Sequence, residues 1–451
     1  MRKRISAFFS VLAAIVLLTV PASAASSGST LKIICADAGQ VIFTPPGSTQ
    51  YAYRYGPAIL IDGDRIDIWA SAPPLVSNGV RYGNDSIEYI RSTDGGKTWT
   101  EWKTVLYPTL NSEDQWSTCD PGAFKYGDYY YVGYTGSPEF RTNPDKEKQV
   151  NNLFIARAKN PEGPYEKWNG NGWGGDPYAI TRYSGDGVGC SMPSFTVKGD
   201  TLYMYYVDQT HPDQDWNSEG NISVSTFSLK DPNWPGNELS NKMCENKPEE
   251  VRYCPDIDKF IGFQLKGGWD YDSYVEIYES TDGVNFTKTS SFRNNFPHYA
   301  HNIGISGNNL GQLDLSIQNY IGTAYTPTGV EAWWGHWHTQ LIPLYIREEQ
   351  PSSTTPSQPS GSTDSSSRKP TTSSVGSTDG ESSETEVSEP QNSNIESTVS
   401  DDKDKDKEVN NKTEQQEETS YLWLYIVIGA VVVLAGAGTA VYFLVIKKKH
   451  V

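Results

Sequence analysis

Short apolar and aromatic runs, separated by Gly, Asp and Asn, recur along the first three quarters of the chain. In three copies, an apolar run with Pro at its second position leads through a tight Gly-Asp turn into a second, aromatic run. These pairs of runs are 56–61 with 65–69, 120–125 with 129–132, and 192–197 with 202–206. Each pair predicts two antiparallel β-strands joined by a hairpin.

Weaker copies of the unit begin at Cys254 and at His301, and several units continue into a third strand. The predicted third strands are 87–91, 152–157 and 275–278. Successive units are about 47 to 72 residues apart, which is typical of propeller blades with outer loops of variable length. Because a helical period is nearly absent between the runs, the pattern predicts an all-β fold, a five-bladed β-propeller with four strands per blade.

The two ends of the chain have a different pattern. Residues 1–24 begin with a basic cluster, continue through an apolar run and end in Ala-Ser-Ala, which predicts a secretory signal peptide. Residues 421–446 are uncharged, with aromatic residues at one edge and three lysines after the other. They predict a single transmembrane helix, with 447–451 as a cytoplasmic tail. We therefore expect a single-pass protein of the cell membrane whose N-terminal domain is extracellular.

Residues 349–420 separate the predicted membrane helix from the repeated units. They are rich in Ser, Thr, Asp and Glu and contain almost no large apolar side chains. Such a segment cannot bury enough apolar surface to offset the entropy lost on ordering it, so it predicts a disordered stalk. This leaves 25–348 as the folded domain.

Charge changes the list of expected partners. The chain has 55 acidic against 37 basic residues, for a net charge of −18: residues 25–348 contribute −14, the stalk −10, and the basic clusters at the two ends of the chain +6. An acidic domain disfavours nucleic acid and other anionic polymers, because these ligands require clustered Lys and Arg. No cofactor is predicted. All five cysteines lie in the domain, and the sequence leaves their pairing open.

Two motifs resemble those of known propeller families. The segment 92–99, Ser-Thr-Asp-Gly-Gly-Lys-Thr-Trp, resembles the Asp-box of sialidases and related propellers, and 280–286 resembles a degraded copy. The resemblance implies a structural hairpin on the rim of a blade. Asp120-Pro121, followed by Gly-Asp-Tyr-Tyr-Tyr, is similar to the blade starts of five-bladed glycoside hydrolases of the arabinanase and β-xylosidase type. Together the resemblances cover most of 50–345 and imply a glycosidase whose partner is an extracellular carbohydrate.

A glycosidase needs two carboxyl groups at its reaction centre. The residues before the repeated Pro, or at the equivalent position, surround one mouth of a propeller channel. They are read as Gly56, Asp120, Met192, Cys254 and His301. This departs from the arabinanase-like pattern, in which several of these positions are carboxylates. Asp120 is the candidate base or nucleophile, although an Asp that only orders its turn is the alternative.

The second carboxylate has several candidates. Glu250, just upstream of the fourth unit, is preferred as the acid, and a solvated loop glutamate is its ordinary interpretation. Glu249, Asp186 and Asp85 are the other candidates.

Arginine and aromatic residues are the candidate substrate contacts. Tyr-Arg-Tyr-Gly-Pro at 53–57 is similar to the sialidase motif whose Arg binds a substrate carboxylate, with one residue inserted. Arg54 and Arg252 are therefore candidate ligands for a carboxylate, with Arg91 and Arg182 as further guanidinium groups, and pairing with a local Asp is the alternative for each.

A run near the end of the domain, Trp-Trp-Gly-His-Trp-His at 333–338, suggests stacking on sugar rings. Trp333 and Trp334 are its candidate substrate contacts. His301 is either a hydrogen-bond donor to substrate or a core histidine. The other histidines lack acidic companions at ligand spacing, so no metal site is predicted.

The sequence thus favours a cell-surface glycoside hydrolase-like protein. A non-catalytic carbohydrate-binding or adhesion propeller is the first alternative, because most of the predicted channel positions lack a carboxylate. A sialidase is the second.

Overall fold

The structure of the protein, a computed structural model, describes residues 29–46, 52–143, 146–183, 188–211, 220–327 and 336–349. All of them belong to one compact unit, Met1–Gln358. The predicted signal peptide, almost all of the stalk, the membrane helix and the tail lie outside the described residues. Among the residues described, the structure has no helix of the length and apolarity that a membrane span requires.

The described residues form strands and turns and contain no α-helix. In chain order the strands are β1 Thr30–Cys35, β2 Gln40–Phe43, β3 Tyr55–Asp62, β4 Arg65–Ala72, β5 Leu75–Ser77, β6 Val80–Tyr82, β7 Ser86–Ser92, β8 Lys103–Leu106, β9 Ser117–Tyr126, β10 Tyr129–Ser137, β11 Phe140–Asn143, β12 Lys146–Gln149, β13 Asn152–Ala158, β14 Glu166–Lys167, β15 Gly189–Lys198, β16 Thr201–Gln209, β17 Asn221–Ser228, β18 Glu238–Met243, β19 Glu250–Cys254, β20 Lys259–Lys266, β21 Tyr274–Ser280, β22 Thr287–Phe292, β23 Ala300–Gly307, β24 Asn319–Tyr325 and β25 His338–Glu349.

Most of these strands pair into antiparallel groups of four, which we call blades 1 to 5. From the inside outward, blade 1 is β3-β4-β7-β8, blade 2 is β9-β10-β13-β14, blade 3 is β15-β16-β17-β18, blade 4 is β19-β20-β21-β22 and blade 5 is β23-β24-β25-β1. The innermost strands contact one another in the order β3, β9, β15, β19, β23 and back to β3. This closed order makes the domain a β-propeller, as the spacing of the sequence units predicts.

Apolar side chains fill the space between each pair of neighbouring blades. Five buried clusters lie between blades 1 and 2, 2 and 3, 3 and 4, 4 and 5, and 5 and 1. Because both faces of an inner blade strand meet a neighbour, β3 and β4 are buried along nearly their whole length instead of at alternate positions. The outermost strand β18, by contrast, is mostly exposed. This burial explains why the sequence shows continuous apolar runs for the inner strands.

The ring is closed by a strand from the beginning of the chain, which the sequence pattern did not reveal. Strand β1 pairs antiparallel with β25 along its whole length, from Thr30 opposite Glu349 to Cys35 opposite Leu344. Leu31, Ile33 and Cys35 enter the cluster between blades 4 and 5. The last blade therefore consists of three strands from the end of the domain and one from its start, a closure that ties the two ends of a propeller together.

One predicted strand start is wrong. The fourth innermost strand is Glu250–Cys254, and residues 255–258 form the turn that follows it. Pro255 therefore lies after the strand, because a Pro in a tight turn has the same local sequence signature as a Pro near the start of a strand.

Candidate active site

The innermost strands of four blades begin with the same backbone distortion. Gly56, Asp120, Met192 and Asn302 have positive φ angles of 56, 48, 57 and 55°, and the pairing register of each strand shifts at that point. A side chain in this left-handed region costs roughly 1–2 kcal/mol unless the residue is Gly. Such bulges aim side chains away from the regular alternation of a strand and are common beside active sites.

The bulges correct the sequence assignment at two blades. In blade 5 the equivalent of Asp120 is Asn302, and the predicted His301 lies one residue before it. In blade 4 the innermost strand begins at Glu250, so Cys254 lies at its end. Asp120 is therefore the one carboxylate at a bulge position. Glu250 is the first residue of the blade 4 innermost strand, the only innermost strand among the described residues that has no such bulge.

Asp120 lies where blades 1, 2 and 5 meet. Its Oδ1 accepts a hydrogen bond of 3.4 Å from the side-chain amide of Asn302. A Cβ on Gly56 would lie 3.5 Å from the same oxygen, an ordinary contact distance, so the positive φ and not the space favours glycine there. The backbone N–H of Asp120 donates to Ser71 Oγ at 2.7 Å, which holds the bulge against blade 1. Three blades thus fix the orientation of this carboxyl group.

Burial raises the pKa of Asp120 to about 6, and the charge of Asp85 adds to the rise. Hydrogen bonds from Thr135 and Cys119 oppose it. Near neutral pH this carboxyl group can therefore both lose and accept a proton, as a general base requires.

Asp85 is the second carboxyl group of this region and lies on the loop before β7. It is 3% exposed. Its oxygens accept hydrogen bonds from Tyr53 Oη at 2.5 Å, Ser117 Oγ at 2.8 Å and Asn84 Nδ2 at 3.2 Å. Burial raises its pKa despite these three donors. The sequence named Asp85 as one of several loop candidates, and its approach to Asp120 comes from the packing of β9 against blade 1.

Glu250, the preferred acid, is bound within the domain. Its Oε2 lies 2.8 Å from Arg252 Nη2 and accepts a hydrogen bond of 3.1 Å from Ser194 Oγ. Its side chain is 14% exposed. Burial raises its pKa, against the charge of Arg252 and the hydrogen bonds that favour the ionised form. The other candidates differ, since Glu249 accepts from the backbone of Leu265 at 2.7 Å and Asp186 lies outside the described residues.

Arg252, a predicted substrate contact, lies inside the ring and is 5% exposed. Besides Glu250, its guanidinium donates to the carbonyls of Ile305 and Val251 and to Ser194 Oγ. These bonds connect blades 3, 4 and 5. This placement fits the alternative of a structural arginine better than contact with a ligand.

Two further candidate arginines, Arg54 and Arg182, pair with separate carboxylates. Arg54 binds Glu88 at 2.5 Å beside the ring of Phe43, and Arg182 binds Glu113 at 2.5 Å. Arg252 has Glu250 as its own partner. Three separate ion pairs do not form the convergent arginine group that carboxylate recognition by a sialidase-like site would need.

Aromatic rings form a wall beside the bulge of blade 5. The ring of His301 lies 4.5 Å from that of Trp337, 4.4 Å from Trp269 and 5.4 Å from Tyr55. Trp269 is 40% exposed, and Trp337 is fully buried. Burial lowers the pKa of His301 to about 3, so its imidazole is neutral in physiological conditions. Sequence reasoning missed Trp269, which lies in a loop without a periodic pattern. Trp333 and Trp334 lie outside the described residues.

The described residues contain no group of three His, Cys, Asp or Glu side chains that is placed to hold a metal ion. All five cysteines are buried and unpaired.

The two predicted Asp turns lie between the third and outermost strands of blades 1 and 4. In each, the carboxylate of Asp94 or Asp282 accepts hydrogen bonds from backbone N–H groups and from Ser92 or Ser280. These bonds lower the pKa of Asp94 to about 2 and that of Asp282 still further. Both turns are structural hairpins, and they lie at the opposite ends of their strands from the residues around Asp120.

Comparison with known proteins gives fold-level likeness only. No protein-family model and no curated protein matches the chain. Among solved structures, an α-L-arabinofuranosidase from Podospora anserina in complex with cellotriose has a TM-score of 0.45 at 11% identity and covers 71% of this chain and 98% of its own. A family 117 glycoside hydrolase of Zobellia galactanivorans has a TM-score of 0.45 at 14% identity, covering 71% and 90%. A family 43 β-xylosidase/α-arabinofuranosidase from a compost metagenome has a TM-score of 0.46 at 11% identity, covering 68% and 94%. Likeness at this level says nothing about activity.

Proposed function

We propose that the domain is a glycoside hydrolase that cleaves an extracellular glycan, with Asp120 as its base or nucleophile. The observation that carries the proposal is the setting of Asp120. It is a carboxyl group on a strained bulge where three blades meet, with a pKa raised to about 6. A raised carboxyl pKa is a frequent property of groups that move protons.

Glu250 is the proposed acid. A general acid must hold its proton until the leaving oxygen departs, and burial raises the pKa of Glu250 in the required direction. Arg252 and Ser194 orient its carboxyl group. Proton donation from Glu250 to the leaving oxygen would accompany attack at the anomeric carbon, either by water that Asp120 deprotonates or by Asp120 itself.

The proposed substrate is a neutral glycan. The domain carries a charge of −14, and its arginines near the ring are paired with carboxylates. Trp269, which is 40% exposed, offers a ring face for stacking, and Trp333 and Trp334 are proposed as further stacking contacts. His301 and Arg54 are proposed as hydrogen-bonding contacts. We place the enzyme on the outer face of the cell membrane, on the strength of the two terminal segments and the stalk between them.

The experiment compares Asp120→Asn and Glu250→Gln with the wild-type chain on a panel of neutral polysaccharides. Both variants should lose at least about a hundredfold in kcat/KM, the scale of acid–base catalysis, while glycan binding is retained. Wild-type activity should also fall as the pH drops through about 6, because Asp120 is then protonated. Asp128→Asn, at an exposed turn of the same blade, is the matched control.

A carbohydrate-binding propeller without hydrolysis is the second candidate. Gly56, Met192 and Asn302 at the other bulge positions favour it, because they supply no further carboxylate. Glycan binding that Trp269→Ala weakens, with no hydrolysis of any tested polysaccharide by the wild-type chain, would establish this candidate in place of the enzyme.

A further inference from the structure

A continuous chain of polar groups joins the buried carboxyl group of Asp85 to the half-buried one of Asp120. From Asp85 Oδ2 it is 2.8 Å to Ser117 Oγ, from there 3.4 Å to Cys119 Sγ, and from there 3.5 Å to Asp120 Oδ2. Both intermediate groups carry one proton and can accept another. Ser117 and Cys119 lie two residues apart at the start of β9, and Asp120 follows Cys119 at the bulge, so one strand supplies both groups between the two carboxyl groups.

We propose that Asp85 and Asp120 share one proton, which passes between them through the Ser117 hydroxyl and the Cys119 thiol. This deepens the proposed function, because it gives the proton of Asp120 a destination inside the protein.

The transfer balances without any added reactant. In one state Asp120 is protonated and donates to Cys119, the thiol donates to Ser117, and the hydroxyl donates to ionised Asp85. In the other state each of the three protons has moved to the next group along the path. Asp85 is then protonated and donates to Ser117, the hydroxyl donates to the thiol, and the thiol donates to ionised Asp120. Both states carry one negative charge.

Burial keeps the proton on this path. Ser117 is fully buried, and Asp85 and Cys119 are nearly so. The pKa of the Cys119 thiol is raised well above its usual value by burial and by the charges of Asp120 and Asp85, so the group stays a neutral thiol and can both give and accept a proton.

The charged and titratable groups around the path are few in the described residues. Tyr53 donates to Asp85 from the start of the first blade, and the Arg81 charge favours its ionised form. Tyr55, beside both carboxyl groups, has a pKa well above its usual value and stays neutral. His301, whose ring lies 5.4 Å from that of Tyr55, is neutral as well. Asn302 and Thr135 contact Asp120 without charge.

The role for catalysis follows from the order of events. When both carboxyl groups are ionised before turnover, the proton that Asp120 takes becomes the shared proton, and the path can carry it to Asp85 and restore the ionised base. Asp85, Ser117 and Cys119 are therefore positioning residues that act through Asp120.

The test is infrared spectroscopy of the full chain without substrate, as a function of pH. The S–H stretching band of Cys119 is identified as the component missing in Cys119→Ala, and the carboxyl bands as those missing in Asp120→Asn and Asp85→Asn. In the wild type the S–H band should shift with the same midpoint as both carboxyl bands, since a coupled pair titrates together.

Breaking the path should separate the two carboxyl groups. Ser117→Ala should give two independent midpoints, and Asp85→Asn should move the Asp120 midpoint to lower pH because a like charge is gone. Cys119→Ser retains a donor and acceptor and should keep the common midpoint. Ser86→Ala is the matched control next to Asp85, since its hydroxyl donates to the carbonyl of Pro73, off the path.

An unchanged common midpoint in both Ser117→Ala and Cys119→Ala would overturn the proposal. Because no substrate is present, that result would leave the hydrolase proposal untouched. Conversely, if the wild-type chain hydrolyses no glycan but shows the common infrared midpoint, the hydrolase proposal is overturned and the shared-proton proposal stands.

Discussion

At the scale of single residues, Asp120 is held in a state that costs stability. Its backbone adopts the left-handed region, and its folded pKa of about 6 exceeds the ordinary value of 3.8. A carboxyl group that binds its proton more tightly in the folded state stabilises the fold least when it is ionised. The contribution is therefore most favourable below about pH 4 and is lost as the pH rises through 6.

Asp120→Asn should stabilise the protein above pH 6. Asn carries no charge to bury and tolerates the left-handed region, so the free energy of unfolding should rise by about 1–3 kcal/mol at pH 8. The gain should shrink to near zero at about pH 4, where Asp120 is protonated. Urea unfolding of both chains at the two pH values measures it. A gain of equal size at both would show that the charge is not its source, and Asp128→Asn should give no gain at either.

At the scale of elements, the repeated bulge is determined by its position at the start of an innermost strand and not by the type of residue there. Gly56, Asp120, Met192 and Asn302 share one conformation although their side chains have nothing in common. The conformation is therefore imposed by the packing of the innermost strands around the ring, and three of the four side chains are kept against a local cost.

Met192 offers a direct measurement of that cost. In an ordinary strand Ala is more stable than Gly by about 0.5–1 kcal/mol, whereas at a left-handed position the order reverses. We expect Met192→Gly to be more stable than Met192→Ala by about 1 kcal/mol in thermal or urea unfolding. The same pair of changes at the neighbouring Ser191, which has no positive φ, should show the ordinary order. A common order at both positions would mean that the bulge stores no strain.

The sequence predicted those elements whose signals are local. The hairpins of the first three blades follow from Pro and from Gly-Asp turns, and the structure confirms them. The fourth start was wrong because Pro255 belongs to a turn, and Asn302 was missed because a bulge shifts the register by one residue. The approach of Asp85 to Asp120 joins positions 35 residues apart through blade packing, for which the sequence carries no period.

At the scale of the whole molecule, β1 completes blade 5 with a strand from the start of the domain. Without it, the face of blade 4 that meets blade 5 would lose Leu31, Ile33 and Cys35 as partners. Neighbouring residues of β1 point to opposite faces, so a change at the exposed Ile34 is the control for a change at the buried Ile33.

Ile33→Ala should cost about 2–4 kcal/mol, through lost apolar contact and the cavity left behind. Ile34→Ala should cost less than about 1 kcal/mol, since Ile34 is 38% exposed on the other face. Chemical unfolding of the full chain, followed by tryptophan fluorescence, measures both. Equal losses would show that β1 is held by its backbone ladder alone.

The pairing of β1 with β25 also determines how the domain would respond to a pulling force. Glu349, the last described residue of the domain, lies directly opposite Thr30. Tension applied there along β25 would load its hydrogen bonds to β24 and to β1 together, in shear, because both partners run beside it. A strand held on two sides in this way cannot be peeled off one bond at a time. If the C-terminal segment tethers the protein to a cell, the blade nearest the tether is the one whose strand pairing resists the pull.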